Sequence, residues 1–92
     1  MILITNTGKE IECITVINSE TYNYLEIITN SIELSDIFNI FANPEETEEL
    51  TAIEGEDYHK VYRGFTYLDS FTRTALYTGN LDFSIKLRPQ FE

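Results

Sequence analysis

Tryptophan is absent from this chain, and cysteine and histidine occur once each. A lone cysteine, Cys13, excludes an intramolecular disulfide. Glu10 and Glu12 precede it, whereas a reactive thiolate needs cationic neighbours. Cys13 is therefore expected to be a small buried hydrophobe. One cysteine and one histidine cannot assemble a structural zinc site. His59 has Ser70, Asp57 and Asp69 as conceivable partners in a Ser-His-Asp arrangement, but no nucleophile-elbow pattern accompanies them. Four glycines are dispersed along the chain and form no phosphate-cradling loop. They read as turn residues. We expect no catalytic residues, no cofactor and no enzymatic activity.

Positive charge is scarce as well. Six Lys and Arg stand against sixteen Asp and Glu, giving a formal charge of −10 and a pI of about 4.3. The basic footprint needed to hold phosphate backbones is missing, which argues against direct nucleic-acid binding. A basic amphipathic membrane anchor is missing too, and no apolar run approaches the ~20 residues of a membrane span. The opening MILITNTGKE has no positively charged n-region, so a secretion signal is not expected.

What the chain does contain is aromatic and β-branched residues: six Phe, six Tyr and a preponderance of Ile, within an apolar content of 42%. That suits one globular domain over residues 1–92, burying only about 60–65% of its unfolded surface. Ile2 to Thr5 is a β-prone opening, and Asn6-Thr7-Gly8-Lys9 is a hairpin turn. Ile11 to Ile17 reads as one strand, Asn18-Ser19-Glu20 as a turn, and Tyr22 to Thr29 as a strand with Leu25 and Ile27 on one face. Leu34, Ile37, Phe38 and Phe41 fall at i, i+3, i+4 and i+7, which predicts a helix over about 31–42. Ser31 is its expected N-cap, and Asn43-Pro44 its end. Glu49 to Ile53, Tyr58 to Tyr67, and Ser70 to Thr78 follow as strands, with Gly64 a candidate bulge or a point where another backbone comes close. Leu81, Phe83, Ile85 and Leu87 alternate with Asp82, Ser84, Lys86 and Arg88, a strand with one face in the core. Gly79-Asn80 would join it to the preceding strand as a hairpin. The expected class is α+β: mainly antiparallel sheet of about six to seven strands with one short packed helix, in the order β-β-β-α-β-β-β-β.

One stretch stands apart. NPEETEELTAIEGEDYHK, residues 43–60, carries Glu45, Glu46, Glu48, Glu49, Glu54, Glu56 and Asp57 with only Lys60 against them. It lacks the spacing of a calcium loop, so no metal site is expected. One reading is a solvated connection that aids solubility and guards an edge strand. The other is a negative surface for a basic protein partner, steered by summed charge, with Tyr58, Tyr62 and Tyr67 as interface aromatics.

Three phrases carry a family likeness: the opening MILITNTGKEIEC, the helix exit IFANPEETEEL, and HKVYRGFTYLDSF followed by GNLDFSIKLRP. In these the chain resembles small, uncharacterised proteins of tailed bacteriophages and prophages encoded near tail genes. The resemblance implies a setting in the bacterial host cytoplasm or the virion. It implies no activity; the role we expect is non-enzymatic, through protein–protein contact at or near the tail or baseplate. Homo-oligomerisation stays open. The departure is the stronger acidity of residues 45–57, which leaves a second role open: an acidic, nucleic-acid-mimicking inhibitor of a bacterial defence nuclease, as anti-CRISPR proteins are.

Overall fold

A computed structural model describes residues 1–74 and 82–89. Among the described residues eight strands form two four-stranded antiparallel sheets. The first sheet contains β1 (Ile2–Ile4), β2 (Glu10–Glu12), β5 (Glu49–Glu54) and β6 (Tyr58–Arg63), in the order β2-β1-β5-β6. The second contains β3 (Thr15–Ser19), β4 (Tyr24–Thr29), β7 (Tyr67–Thr74) and β8 (Asp82–Arg88), in the order β3-β4-β8-β7. The α+β class holds, with the helical segment between β4 and β5.

The expected single strand from Ile11 to Ile17 is two strands in different sheets. The Cys13 N–H donates to Met1 O at 2.8 Å, while the next N–H, of Ile14, donates to Ile28 O at 2.7 Å. Ile14 and Thr15 thus both address Ile28, the geometry of a bulge, which turns the strand toward new partners. The second corner is at residues 64–66. Here the expected strand Tyr58 to Tyr67 stops at Arg63, and a new one starts at Tyr67. Gly64 has φ +84°, a left-handed conformation that glycine adopts without a Cβ clash, and its N–H donates to Glu48 O at 3.0 Å. Strands that switch sheets at bends are how two layers join at their corners.

One core lies between the sheets. Leu3, Ile11, Leu50 and Ala52 come from the first sheet, and Leu25, Ile27, Phe83, Ile85 and Leu87 from the second. The alternation read in the last strand is present, with Phe83, Ile85 and Leu87 buried. Leu81 and the Gly79-Asn80 hairpin lie outside the described residues. The turn expected at 18–20 falls later: Asn18 and Ser19 are in β3, and Asn23 takes φ 56° just before β4.

The helix departs most from expectation. Ser31 does not cap it; its hydroxyl donates to Glu12 O at 2.7 Å, as does that of Thr29. Glu33 is the N-cap of α1 (Leu34–Asp36), and Asp36 Oδ2 accepts from the Glu33 N–H at 2.9 Å. The chain then widens into a π-helical turn over Ile37–Phe41, closed by the Ala42 N–H bonding Ile37 O at 2.9 Å. Widening shifts the buried face. Ile37, Ile40 and Phe41 point into the core, whereas Leu34 and Phe38 are 51% and 56% exposed. Asn43-Pro44 ends this helix and also begins another. Asn43 Oδ1 accepts the Glu45 N–H at 3.1 Å, and Pro44 occupies the first turn of α2 (Pro44–Thr47).

Candidate functional site

The acidic stretch is not one surface. Glu46 is 4% exposed and faces inward. Its Oε1 accepts the Thr5 hydroxyl at 2.7 Å and the Thr7 hydroxyl at 2.5 Å, and its Oε2 lies 2.9 Å from Lys9 Nζ. The bond from Thr7, then Lys9 and Thr5, holds the carboxyl down at about 2 against the opposing effect of burial. The Asn6 N–H adds a bond to Glu46 O at 2.9 Å, and its side chain bonds Glu45 O at 3.0 Å. Glu46 therefore clasps the β1–β2 turn to α2, which corrects its assignment to a partner-binding surface. Thr47 is also buried, so this part of the run is packed structure and not a solvated connection.

Tyr62 is likewise inside, 5% exposed. Burial raises its phenol, and the Tyr58 hydroxyl 3.4 Å away adds to the effect. Tyr58 itself is exposed. Glu49 is half-buried and pairs with Arg63, whose Nη2 and Nε reach Glu49 Oε2 at 2.8 and 2.9 Å.

The remaining acids divide into two groups. Glu45 and Glu48 lie exposed at α2, and Glu54, Glu56 and Asp57 lie exposed at the end of β5 and in the β5–β6 turn. The six residues of β5 separate the groups by about 17 Å at the rise of an extended strand. None of these five has a cation partner, because all six cations are engaged elsewhere. Lys9 and Arg63 hold Glu46 and Glu49. Arg88 Nε lies 3.2 Å from Asp69 Oδ2. Lys60, Arg73 and Lys86 lie over the rings of Tyr62, Phe83 and Tyr24 at 5.6, 4.8 and 4.5 Å.

The residues of the conceivable Ser-His-Asp arrangement are divided between the sheets. His59 is on β6 in the first sheet, whereas Asp69 and Ser70 belong to β7 in the second. Cys13 is buried, and burial pushes its thiol up to about 12, so it stays protonated at neutral pH. Among the described residues no group of three or more His, Cys, Asp or Glu comes together to hold a metal ion, and no helix is long and apolar enough to cross a membrane.

The chain matches no family model, no curated protein and no solved structure.

Two surface features arise from the fold rather than from the sequence pattern. The Leu34–Phe38 pair stands outside the helix, with Phe38 meeting Phe71 edge-on at 5.8 Å between centroids. The outer face of the second sheet carries exposed Ile17, Tyr22 and Tyr67 around the Tyr24–Lys86–Arg88 stack. Helical periodicity assigned the first pair to the core. The second group is scattered over four strands and the β3–β4 turn, and only the strand register brings it together.

Proposed function

We propose that this chain is a non-enzymatic protein that works by contact with another protein, in a tailed-bacteriophage or prophage setting at or near the tail or baseplate. The observation that supports this is the exposed Leu34–Phe38 pair, one helical turn apart. Burying such side chains contributes about 1.5–3 kcal/mol each. Both are already about half covered, so a partner that covers the rest recovers about half of that contribution, and an exposed apolar cluster is a common mark of a contact surface. The test is capture of a host or phage protein by the purified chain, beside a Leu34→Ser/Phe38→Ser variant of unchanged circular dichroism. Loss of capture in the variant is expected. Equal capture by both proteins would overturn the assignment of the surface.

A second reading, an acidic inhibitor of a bacterial defence nuclease, is favoured by the five exposed carboxylates that lack cations. Steering through summed charge weakens with salt. Changing Glu45, Glu48, Glu54 and Glu56 to Gln and Asp57 to Asn should then slow association and flatten its salt dependence. Capture that responds to the helix variant and ignores these five changes favours the first reading over the second.

A further inference from the structure

Each sheet ends in two edge strands, and three of the four carry devices that discourage pairing with another chain. β2 is three residues long with exposed Glu10 and Glu12, and its Glu12 carbonyl is taken by Thr29 and Ser31. β6 carries exposed His59, Lys60 and Arg63. β7 has a register shift between Leu68 and Ser70, with the charged Asp69 at the irregularity and Arg73 further along. Bulges, charges and shortness are the usual protections of an edge.

β3 carries no charge, and its one bulge, at Ile14–Thr15, lies at the entry to the strand and leaves Val16 to Ser19 regular. Its sequence is Thr15-Val16-Ile17-Asn18-Ser19, with three β-branched residues, no charge, no proline and no glycine. It pairs with β4 on one side, stands last in the sheet, and shows Ile17 39% exposed. An antiparallel ladder turns every second N–H and C=O of an edge strand outward. In a molecule of net charge −10 this is, among the described strands, the one edge strand along which another copy meets no charged side chain.

We infer that β3 is a pairing edge and that its occupant is β3 of a second copy, antiparallel about a two-fold axis at Ile17. The strand is complementary to itself in this register. Ile17 stands against Ile17 of the second copy, and Thr15 against Ser19 twice, on the outer face. Val16 stands against Asn18 on the inner face. Thr–Ser and β-branched pairs opposite one another stabilise antiparallel neighbours. The flanking acids avoid each other, because Glu20 falls opposite Ile14 and Glu12 opposite Tyr22. Such an isologous contact joins two four-stranded sheets into one of eight strands. This inference deepens the protein-contact reading by naming a partner, but it uses a different surface from Leu34 and Phe38.

The experiment is the solution mass of the full chain over a concentration series, with engineered cysteines reporting the register. Wild type should move from 10.7 kDa toward twice that mass as concentration rises. Ile17→Lys should stay at the single-chain mass, with unchanged circular dichroism. Ile17→Cys should form a disulfide-linked dimer under mild oxidation, since opposed residues of an antiparallel pair come within disulfide reach. Buried Cys13 supplies no competing thiol. Thr15→Cys should cross-link poorly alone and well when mixed with Ser19→Cys. A wild type that stays single-chain at every concentration would overturn the inference, as would cross-linking of Thr15→Cys equal to that of Ile17→Cys. If Ile17→Lys does not fold, the cysteine series decides. Capture of another protein by a strictly monomeric chain would leave the protein-contact reading standing while this pairing fell. A dimer that captures nothing would do the reverse.

Discussion

Glu46 shows how one side chain can change meaning between sequence and structure. Its carboxyl is held at about 2, below the ordinary value of 4.5, by hydroxyls and an ammonium that arrive from residues 5–9. A depressed folded value stabilises the fold above the ordinary value, and that stabilisation is lost as pH falls through the folded value. Thermal stability of the wild type should therefore decline between about pH 4.5 and 2. Glu46→Gln should be less stable at neutral pH and show a weaker decline. A melting series against pH checks both. Nothing local in Pro44-Glu45-Glu46-Thr47 marks Glu46 as different from Glu45, because its partners lie 39 and 41 residues earlier. Cys13, by contrast, was legible: acidic neighbours and an apolar run pointed to a buried, unreactive thiol, and it is buried.

At the scale of elements, period-two strands were read well where one face is buried along the whole strand, as in Phe83, Ile85 and Leu87. The helix was misread because the assumed period of 3.6 does not hold in a π-helical turn. The two aromatic residues of that turn now separate by position. Phe41→Ala should destabilise by about 3–5 kcal/mol, as expected for a large buried side chain. Phe38→Ala should cost only about 0.5–1.5 kcal/mol, the worth of its edge contact with Phe71. Chemical denaturation of the two variants checks the order. The corners were harder to see. Ile11 to Ile17 is continuous in β propensity, and the break at Cys13–Ile14 exists because Met1 and Ile28 compete for successive N–H groups from two sheets. At the other corner Gly64 is a visible interruption in a β-rich run, and it marks the end of β6 rather than a bulge, with a positive φ that glycine supplies. Gly64→Ala meets no atom within 4 Å, so its expected cost is the left-handed backbone alone, about 1–2 kcal/mol.

For the whole molecule the dominant quantity is charge. With every cation engaged and a formal charge of −10, the exposed carboxylates repel one another across the surface. Added salt should raise the melting temperature, since screening acts most strongly between exposed charges. The variant neutralised at Glu45, Glu48, Glu54, Glu56 and Asp57 should melt higher than wild type at low salt, and the difference should shrink as salt is added. An unchanged difference at high salt would locate the effect in local packing. That five acids lie in two groups at opposite ends of β5 was hidden in the sequence, where they form one run. An extended strand carries neighbours in sequence far apart in space.

The strand order also bears on how fast the chain reaches this structure. Each sheet consists of two hairpins of consecutive strands, β1–β2 with β5–β6 and β3–β4 with β7–β8. In each, one seam between distant segments joins the hairpins: Leu3 beside Ala52 in the first, and Ile27 beside Ile85 in the second. Hairpins close within about 1–10 μs, but a seam must first overcome the entropy of closing a long loop. Folding should thus be limited by zipping the two seams and take milliseconds to seconds, as in other β-dominated domains of high contact order.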